Sequence, residues 1–225
     1  MLKNLLSKLR KKPKLTPVVE PIDAVTVGVN EPKPEYPEYL KYETQVVGYV
    51  NGYVQDFMYG NVLKTIPKQD SIIDFGSGRG DLYGQLLKEE RNVSDYLGVE
   101  YNNLLADIGK SKFPLMDVRR DSWFNLRFED KRDWAIAIAS FDVSYSDEQS
   151  ANPYEYLTRT IDFMMQYANK GIVLTFLRPD KMAAEGILTY DFSIIYFAIR
   201  EYDFILDASS MPGTYKLIIL KPYEY

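Results

Sequence analysis

Neither cysteine nor histidine occurs anywhere in this chain of 225 residues. Without cysteine there is no disulfide, no thiolate metal site and no cysteine nucleophile, and the composition fits a reducing, cytoplasmic setting. Without histidine the usual general base and the usual metal ligand are both missing. Any acid–base work falls to Asp, Glu, Lys, Tyr or a bound water. No apolar run approaches the length of a membrane span. Positive charge is also in short supply: 27 basic residues face 32 acidic ones, a formal net charge of −5. The shortage is uneven. Lys3, Lys8, Arg10, Lys11, Lys12 and Lys14 crowd the first fourteen residues, where no acid occurs, which leaves a body of 21 basic and 32 acidic residues. An acidic body is a poor non-specific partner for nucleic acid or an anionic membrane, whereas a basic arm is a good one.

That arm, residues 1–12, carries Leu2, Leu5, Leu6 and Leu9 at helical spacing with the lysines largely opposite. Two readings stay open: a docking arm for a protein partner, an anionic membrane surface or nucleic acid, or a solvated tail. Residues 13–37 hold six of the twelve prolines: Pro13, Pro17, Pro21, Pro32, Pro34 and Pro37. That density excludes helices and central strands and predicts a semi-rigid linker. A single domain is expected over 38–225, opening with helical spacing across 39–63 in which Gly48 and Gly52 allow two shorter helices. Its tyrosines, Tyr49, Tyr53 and Tyr59, read as packing residues.

The stretch that organises the domain is Asp74-Phe75-Gly76-Ser77-Gly78-Arg79-Gly80-Asp81-Leu82. It reads as a buried strand over 71–75, a glycine turn, and a helix from about Asp81. Glycines at alternate positions allow a tight turn and keep side chains out of a ligand's way. The helix start adds unpaired N–H groups and a partial positive charge. A second strand, about 96–101, ends in Glu100, twenty residues after Gly80. A carboxylate at that place accepts from both hydroxyls of a ribose. The plain alternative is a tight turn followed by an ordinary exposed glutamate.

The spacing G-x-G-x-G with Asp74 two residues ahead differs from the dinucleotide fingerprint G-x-G-x-x-G. It resembles motif I of the class I (Rossmann-like) S-adenosylmethionine-dependent methyltransferases, and the resemblance extends over roughly residues 40–225. Downstream, strands and helices alternate. Strand three is expected at about 113–116, ending at Asp117. A brief helix follows over 121–126, strand four over 133–140, a helix over 153–169, strand five over 171–177 and a helix over 184–201. Two strands, 202–208 and 214–221, close the chain. Alternation argues for an α/β fold with a doubly wound, mostly parallel sheet and helices on both faces. The resemblance implies seven strands with a terminal antiparallel pair.

It also implies S-adenosyl-L-methionine as cofactor, held by Asp74, Gly76, Ser77, Gly78 and Gly80 from strand one. Glu100 and Tyr101 would contribute from strand two, Asp117 from strand three against the adenine amino group, and Ser140 from strand four. Where the acceptor must lose a proton, Asp142 is the candidate catalytic base. Tyr145 and Asp147 come next along the chain and read better as loop polar residues. Amino-methylating DNA enzymes of this class carry Asn/Asp-Pro-Pro-aromatic directly after strand four, and this chain has Ser140-Phe141-Asp142-Val143 there. Asn152-Pro153-Tyr154-Glu155 lies too far downstream and reads as a helix cap. A metal site from Asp142, Asp147 and Glu148 lacks the convergent oxygens that a hard cation needs, and none is expected. Two functions from different classes remain: a methyltransferase with an unidentified acceptor, or a structural or assembly protein that keeps the fold and docks through its arm.

Overall fold

Apolar four- to six-residue runs alternate with amphipathic segments from residue 52 onward, and that order builds the architecture. A computed structural model describes residues 52–121, 126–141, 152–179, 189–211 and 213–222. The arm 1–12, the linker 13–37, the first half of the helical stretch 39–63, and Asp142, Tyr145, Asp147 and Glu148 lie outside these residues. The described elements are α1 (Gly52–Leu63), β1 (Ile72–Phe75), α2 (Asp81–Lys88), β2 (Tyr96–Val99), α3 (Asn103–Lys112), β3 (Val118–Arg119), β4 (Arg132–Ala137), α4 (Pro153–Tyr167), β5 (Ala168–Leu177), α5 (Phe192–Ile199), β6 (Phe204–Asp207) and β7 (Thr214–Leu220).

One seven-stranded sheet runs in the order β3-β2-β1-β4-β5-β7-β6. The first five strands are parallel neighbours. β7 is antiparallel to both β5 and β6, between which it lies. The expected doubly wound sheet with a terminal antiparallel pair is therefore present. The order reverses beside β1, with β2 on one side and β4 on the other, and this is where sheets of this kind bind ligands.

Side chains alternate across each strand, so the sheet feeds two cores. Ile73 and Phe75 of β1 join Val99, Ala137, Leu174 and the α4 and α5 residues Leu157, Ile161 and Ile195. Ile72 of β1 joins Tyr96, Ile136 and the α1 and α2 residues Val62, Leu63, Leu82 and Leu86 on the other face. Asp74 shares the face of Ile72, so an acid is placed in the α1/α2 layer. The long apolar run of β4 is buried on both faces, as a central parallel strand requires.

Helix starts follow the cap residues. Asn152 accepts from the N–H of Glu155 at 3.2 Å and donates to its carboxylate at 2.8 Å, with Pro153 at the first helical position. This is the cap expected from the sequence. Asn102 caps α3 by accepting from the Leu104 and Leu105 N–H groups, and Asp191 caps α5 by accepting from those of Ser193 and Ile194.

Two expectations are corrected. Strand three is Val118–Arg119, not 113–116. Phe113 and Met116 form a turn closed by a 3.0 Å bond from the Met116 N–H to the Phe113 carbonyl. Met116 is fully buried, and Gly80 sits directly against its sulfur. The apolar run fills space beneath the glycine turn instead of pairing. Second, β5 begins at Ala168 rather than Gly171, because Ala168 already pairs with Arg132 of β4. The expected helix 121–126 falls on residues 122–125, which lie outside the described set; a 3-10 turn follows at Phe128–Asp130.

Candidate functional site

The site begins with backbone conformation. Gly76, Gly78 and Gly80 have φ of 78°, 55° and 71°, all in the left-handed region that side chains resist. At Gly80 space forbids a side chain as well, since a Cβ would lie 2.5 Å from the Met116 sulfur. The turn is pinned at its base: Gly76 and Ser77 both donate to the Val99 carbonyl of β2, at 2.9 and 3.2 Å. Helix α2 then starts with no side-chain cap, so its first N–H groups face the turn.

Two carboxylates flank the turn. Glu100 is only 4% exposed, which removes the reading of an ordinary surface glutamate. Its Oε2 accepts from the Gly78 N–H and its Oε1 from the Asn102 N–H, both at 2.8 Å. The Tyr101 N–H also bonds to it, so the carboxylate ties the glycine turn to the start of α3. Burial pushes the Glu100 carboxyl up from its ordinary value against the pull of these backbone bonds. Asp74 is 3% exposed. Its Oδ2 accepts from the Tyr96 hydroxyl at 2.8 Å, and its Oδ1 accepts no hydrogen bond from the described residues. Burial pushes it up to about 7, with Glu100 adding to the rise and the Tyr96 bond opposing it.

Ser77 completes the cradle. Its hydroxyl is buried and has no hydrogen-bond partner among the described residues. It rests against Gly98, where a Cβ would lie 2.7 Å from that oxygen. A buried hydroxyl without a partner costs stability, and a ligand would relieve that cost.

Asp81 belongs to a different network. It accepts from Lys112 at 2.8 Å, Arg79 at 2.8 Å and Gln55 at 3.2 Å. Burial pushes its carboxyl up, but Lys112 and Arg79 outweigh that and hold it below the usual range. These bonds tie the turn to α1 and α3.

Of the other residues expected here, Ser140 reaches the right edge of the sheet. Its hydroxyl donates to the Phe75 carbonyl at 2.8 Å, joining the ends of β4 and β1. Tyr101 follows β2 and is exposed. Asp117 is placed differently: it precedes β3, and its carbonyl accepts from the Gly98 N–H at 2.9 Å. That sets it on the amino side of Val118, away from the carboxyl edge. Asp121, two residues beyond β3, is the acid on the carboxyl side, since the Glu100 backbone N–H already donates to the Arg119 carbonyl. Sequence reasoning passed over Asp121 because the apolar run ahead of Asp117 imitates a strand. It also passed over Tyr96, whose only signal was a glycine two residues on, along the same face. Among the described residues no group of three or more Asp, Glu, His or Cys side chains is arranged to hold a metal, and no helix is long and apolar enough to cross a membrane.

No family model matches the sequence, and no curated protein matches it. Solved structures do. A magnesium protoporphyrin IX methyltransferase (ChlM) of Synechocystis PCC 6803, crystallised with S-adenosylhomocysteine, aligns over 83% of this chain and 95% of its own at 12% identity and a TM-score of 0.58. DesVI of Streptomyces venezuelae aligns over 82% and 98% at 11% identity, also at 0.58. The CurJ carbon methyltransferase aligns over 80% of this chain and 58% of its own at 12% identity and 0.57. The fold is the class I methyltransferase fold. At these identities the likeness is one of architecture, and the chemistry of this chain has to be argued from its own site.

Proposed function

We propose that this chain is an S-adenosylmethionine-dependent methyltransferase with an acceptor still to be identified. One observation carries the reading: a turn of three left-handed glycines at the switch point of the sheet, flanked by two buried carboxylates and a buried hydroxyl without a partner among the described residues. The donor set fits the cofactor's parts. Oδ1 of Asp74 and the Ser77 hydroxyl suit an amino-acid end, which offers an ammonium and a carboxylate. The Glu100 carboxylate, an acceptor only, suits the ribose hydroxyls. The adenine amino group is assigned to the acid after β3, Asp121 in place of Asp117. Bound there, the cofactor supplies a sulfonium-activated methyl group. The protein's share is to hold that group in line with the acceptor and to exclude water. Asp142, on the segment after β4, is assigned the acceptor's proton where one has to leave.

Calorimetric titration tests the reading. S-adenosylhomocysteine and S-adenosylmethionine are expected to bind and NAD not to bind. No heat with either sulfur ligand, or tight binding of NAD, overturns it. Residues 1–12 are assigned to docking and 13–37 to tethering. Deleting 1–37 is then expected to leave affinity for S-adenosylhomocysteine within about twofold, a change under the 1.4 kcal/mol that a factor of ten requires. Truncation that abolishes binding would place the linker in the site.

A further inference from the structure

Tyr96 opens β2, and its hydroxyl reaches the motif acid on the neighbouring strand. The register shows how. Asp74 pairs with Gly98 and Ile72 with Tyr96, so the tyrosine starts two residues below the acid on the same face. Gly98 leaves the lane between them open: a Cβ there would lie 3.4 Å from the Tyr96 ring. The ring is fixed by Tyr83, edge-on at 5.1 Å, which in turn meets Phe113 at 5.5 Å. Tyr96 is 2% exposed, and its hydroxyl donates to Asp74 at 2.8 Å.

We infer that Tyr96 is a positioning residue for Asp74: its phenol occupies Oδ2, turns Oδ1 toward the ligand, and favours the ionised carboxylate that a cationic group requires. The inference rests on the cofactor reading above and adds a residue and a proton to it. The groups facing Asp74 define the balance. β2 contributes Tyr96, and Glu100 at its end. Tyr59 of α1 and Tyr83 of α2 stand around the phenol. β4 presents Ile136, which is apolar. No cation of the described residues is paired with Asp74; on this inference the ligand supplies the charge that stabilises its ionised form. With the carboxyl held up at about 7, ligand binding in mildly acid solution drives a proton off Asp74.

The experiment is calorimetric titration of the full chain with S-adenosylhomocysteine between pH 5.5 and 8.5, in two buffers of different ionisation enthalpy. The wild type is expected to release up to one proton below pH 7 and to lose affinity about tenfold per pH unit there. Tyr96→Phe keeps the ring and removes the donor, so its midpoint is expected about one to two pH units higher, with affinity at pH 8.5 much less affected. Asp74→Asn is expected to bind weakly with a flat profile. A Tyr96→Phe profile that superimposes on the wild type, or an Asp74→Asn profile that keeps the wild-type slope, overturns the inference. Absence of binding by the wild type at every pH overturns the cofactor reading instead. Should Tyr96→Phe fail to fold, infrared difference spectra of the wild type carry the test. S-adenosylhomocysteine at pH 6 is expected to deprotonate one buried carboxyl and shift one phenolic C–O band together. A carboxyl change without the tyrosine change overturns the inference.

Discussion

Asp70, two residues before β1, and Asp74, near its far end, are each 3% exposed, and they are buried on different terms. Below β1, Asp70 accepts from the Trp134 indole at 2.8 Å and from the Lys170 ammonium at 2.7 Å. Lys170 also lies 3.4 Å from Asp133, whose carboxylate accepts from the Ser71 N–H. These groups join β1, β4 and β5 at the amino edge of the sheet, and Lys170 is held above its ordinary value by the Asp70 bond. Above β1, Asp74 has a phenol and, among the described residues, no cation. Beside it a second carboxylate, Glu100 after β2, is buried and pushed up, and the Ser77 hydroxyl has no partner among the described residues. Buried charge that is paired holds a fold together; buried charge kept without a counter-ion stores a binding energy for something that arrives later.

Asp74→Asn tests that difference most severely. Affinity for S-adenosylhomocysteine is expected to fall about a hundredfold, as loss of a charge-assisted bond worth roughly 3 kcal/mol implies. Stability is expected to move the other way. Asp74 titrates near 7 in the folded chain and near 4 unfolded, so the native state holds a proton that the unfolded chain has lost between those values. Unfolding free energy therefore declines as pH rises through that window, by about 4 kcal/mol at most, with Glu100 adding in the same sense. Asp81, held below its ordinary value, acts only at lower pH. Thermal melts at pH 5 and pH 8 check both statements: the apo wild type should lose stability across the interval, and the variant should lose far less. A variant destabilised equally at both pH values would make Asp74 an ordinary structural acid.

Asp70→Ala is the mirror experiment. It strands the buried Trp134 N–H, a loss of about 2–3 kcal/mol, with the half-exposed Lys170 adding little. The melting temperature should fall by about 5–10 °C for a chain of this length. Affinity for S-adenosylhomocysteine should stay within about twofold. Lost affinity in a folded Asp70 variant would break the comparison, since it would show the two edges of the sheet to be coupled.

Glu100 belongs to both regimes, and it is where reading from sequence reached its limit. Its place twenty residues after Gly80 was legible, and so were the glycine turn, the strand–helix order and the Asn152 cap, because each depends on local spacing. Its two bonds to the Gly78 and Asn102 N–H groups were not legible, because they depend on how the turn after β2 folds back on the turn after β1. The same limit hid the partnership of Tyr96 with Asp74, which is a fact of strand register. It misplaced Asp117, where a two-residue strand left too little pattern to mark its end. Glu100→Gln keeps an amide oxygen for one backbone donor and loses the charge. Affinity should weaken about tenfold and stability fall by about 1 kcal/mol. Calorimetric titration beside a thermal melt separates the two effects, and an unchanged affinity would mean that the ribose is held elsewhere.

The smallest expected effect is the most diagnostic for the turn itself. Ser77→Ala removes a buried hydroxyl that bonds to nothing among the described residues, and it leaves the Cβ that packs on Gly98. No hydrogen bond is lost on folding and one desolvated polar group disappears, so apo stability should hold or rise by a few tenths of a kcal/mol. If the hydroxyl waits for the ligand, the complex loses one neutral hydrogen bond of about 0.5–1.5 kcal/mol, and affinity falls about two- to tenfold. The two signs together carry the argument, since a residue that served the fold would lower stability and leave affinity alone. Melts of the apo protein and titration with S-adenosylhomocysteine read both signs. Lower stability with unchanged affinity would return Ser77 to the structural set, and the pocket would then rest on Asp74 and Glu100.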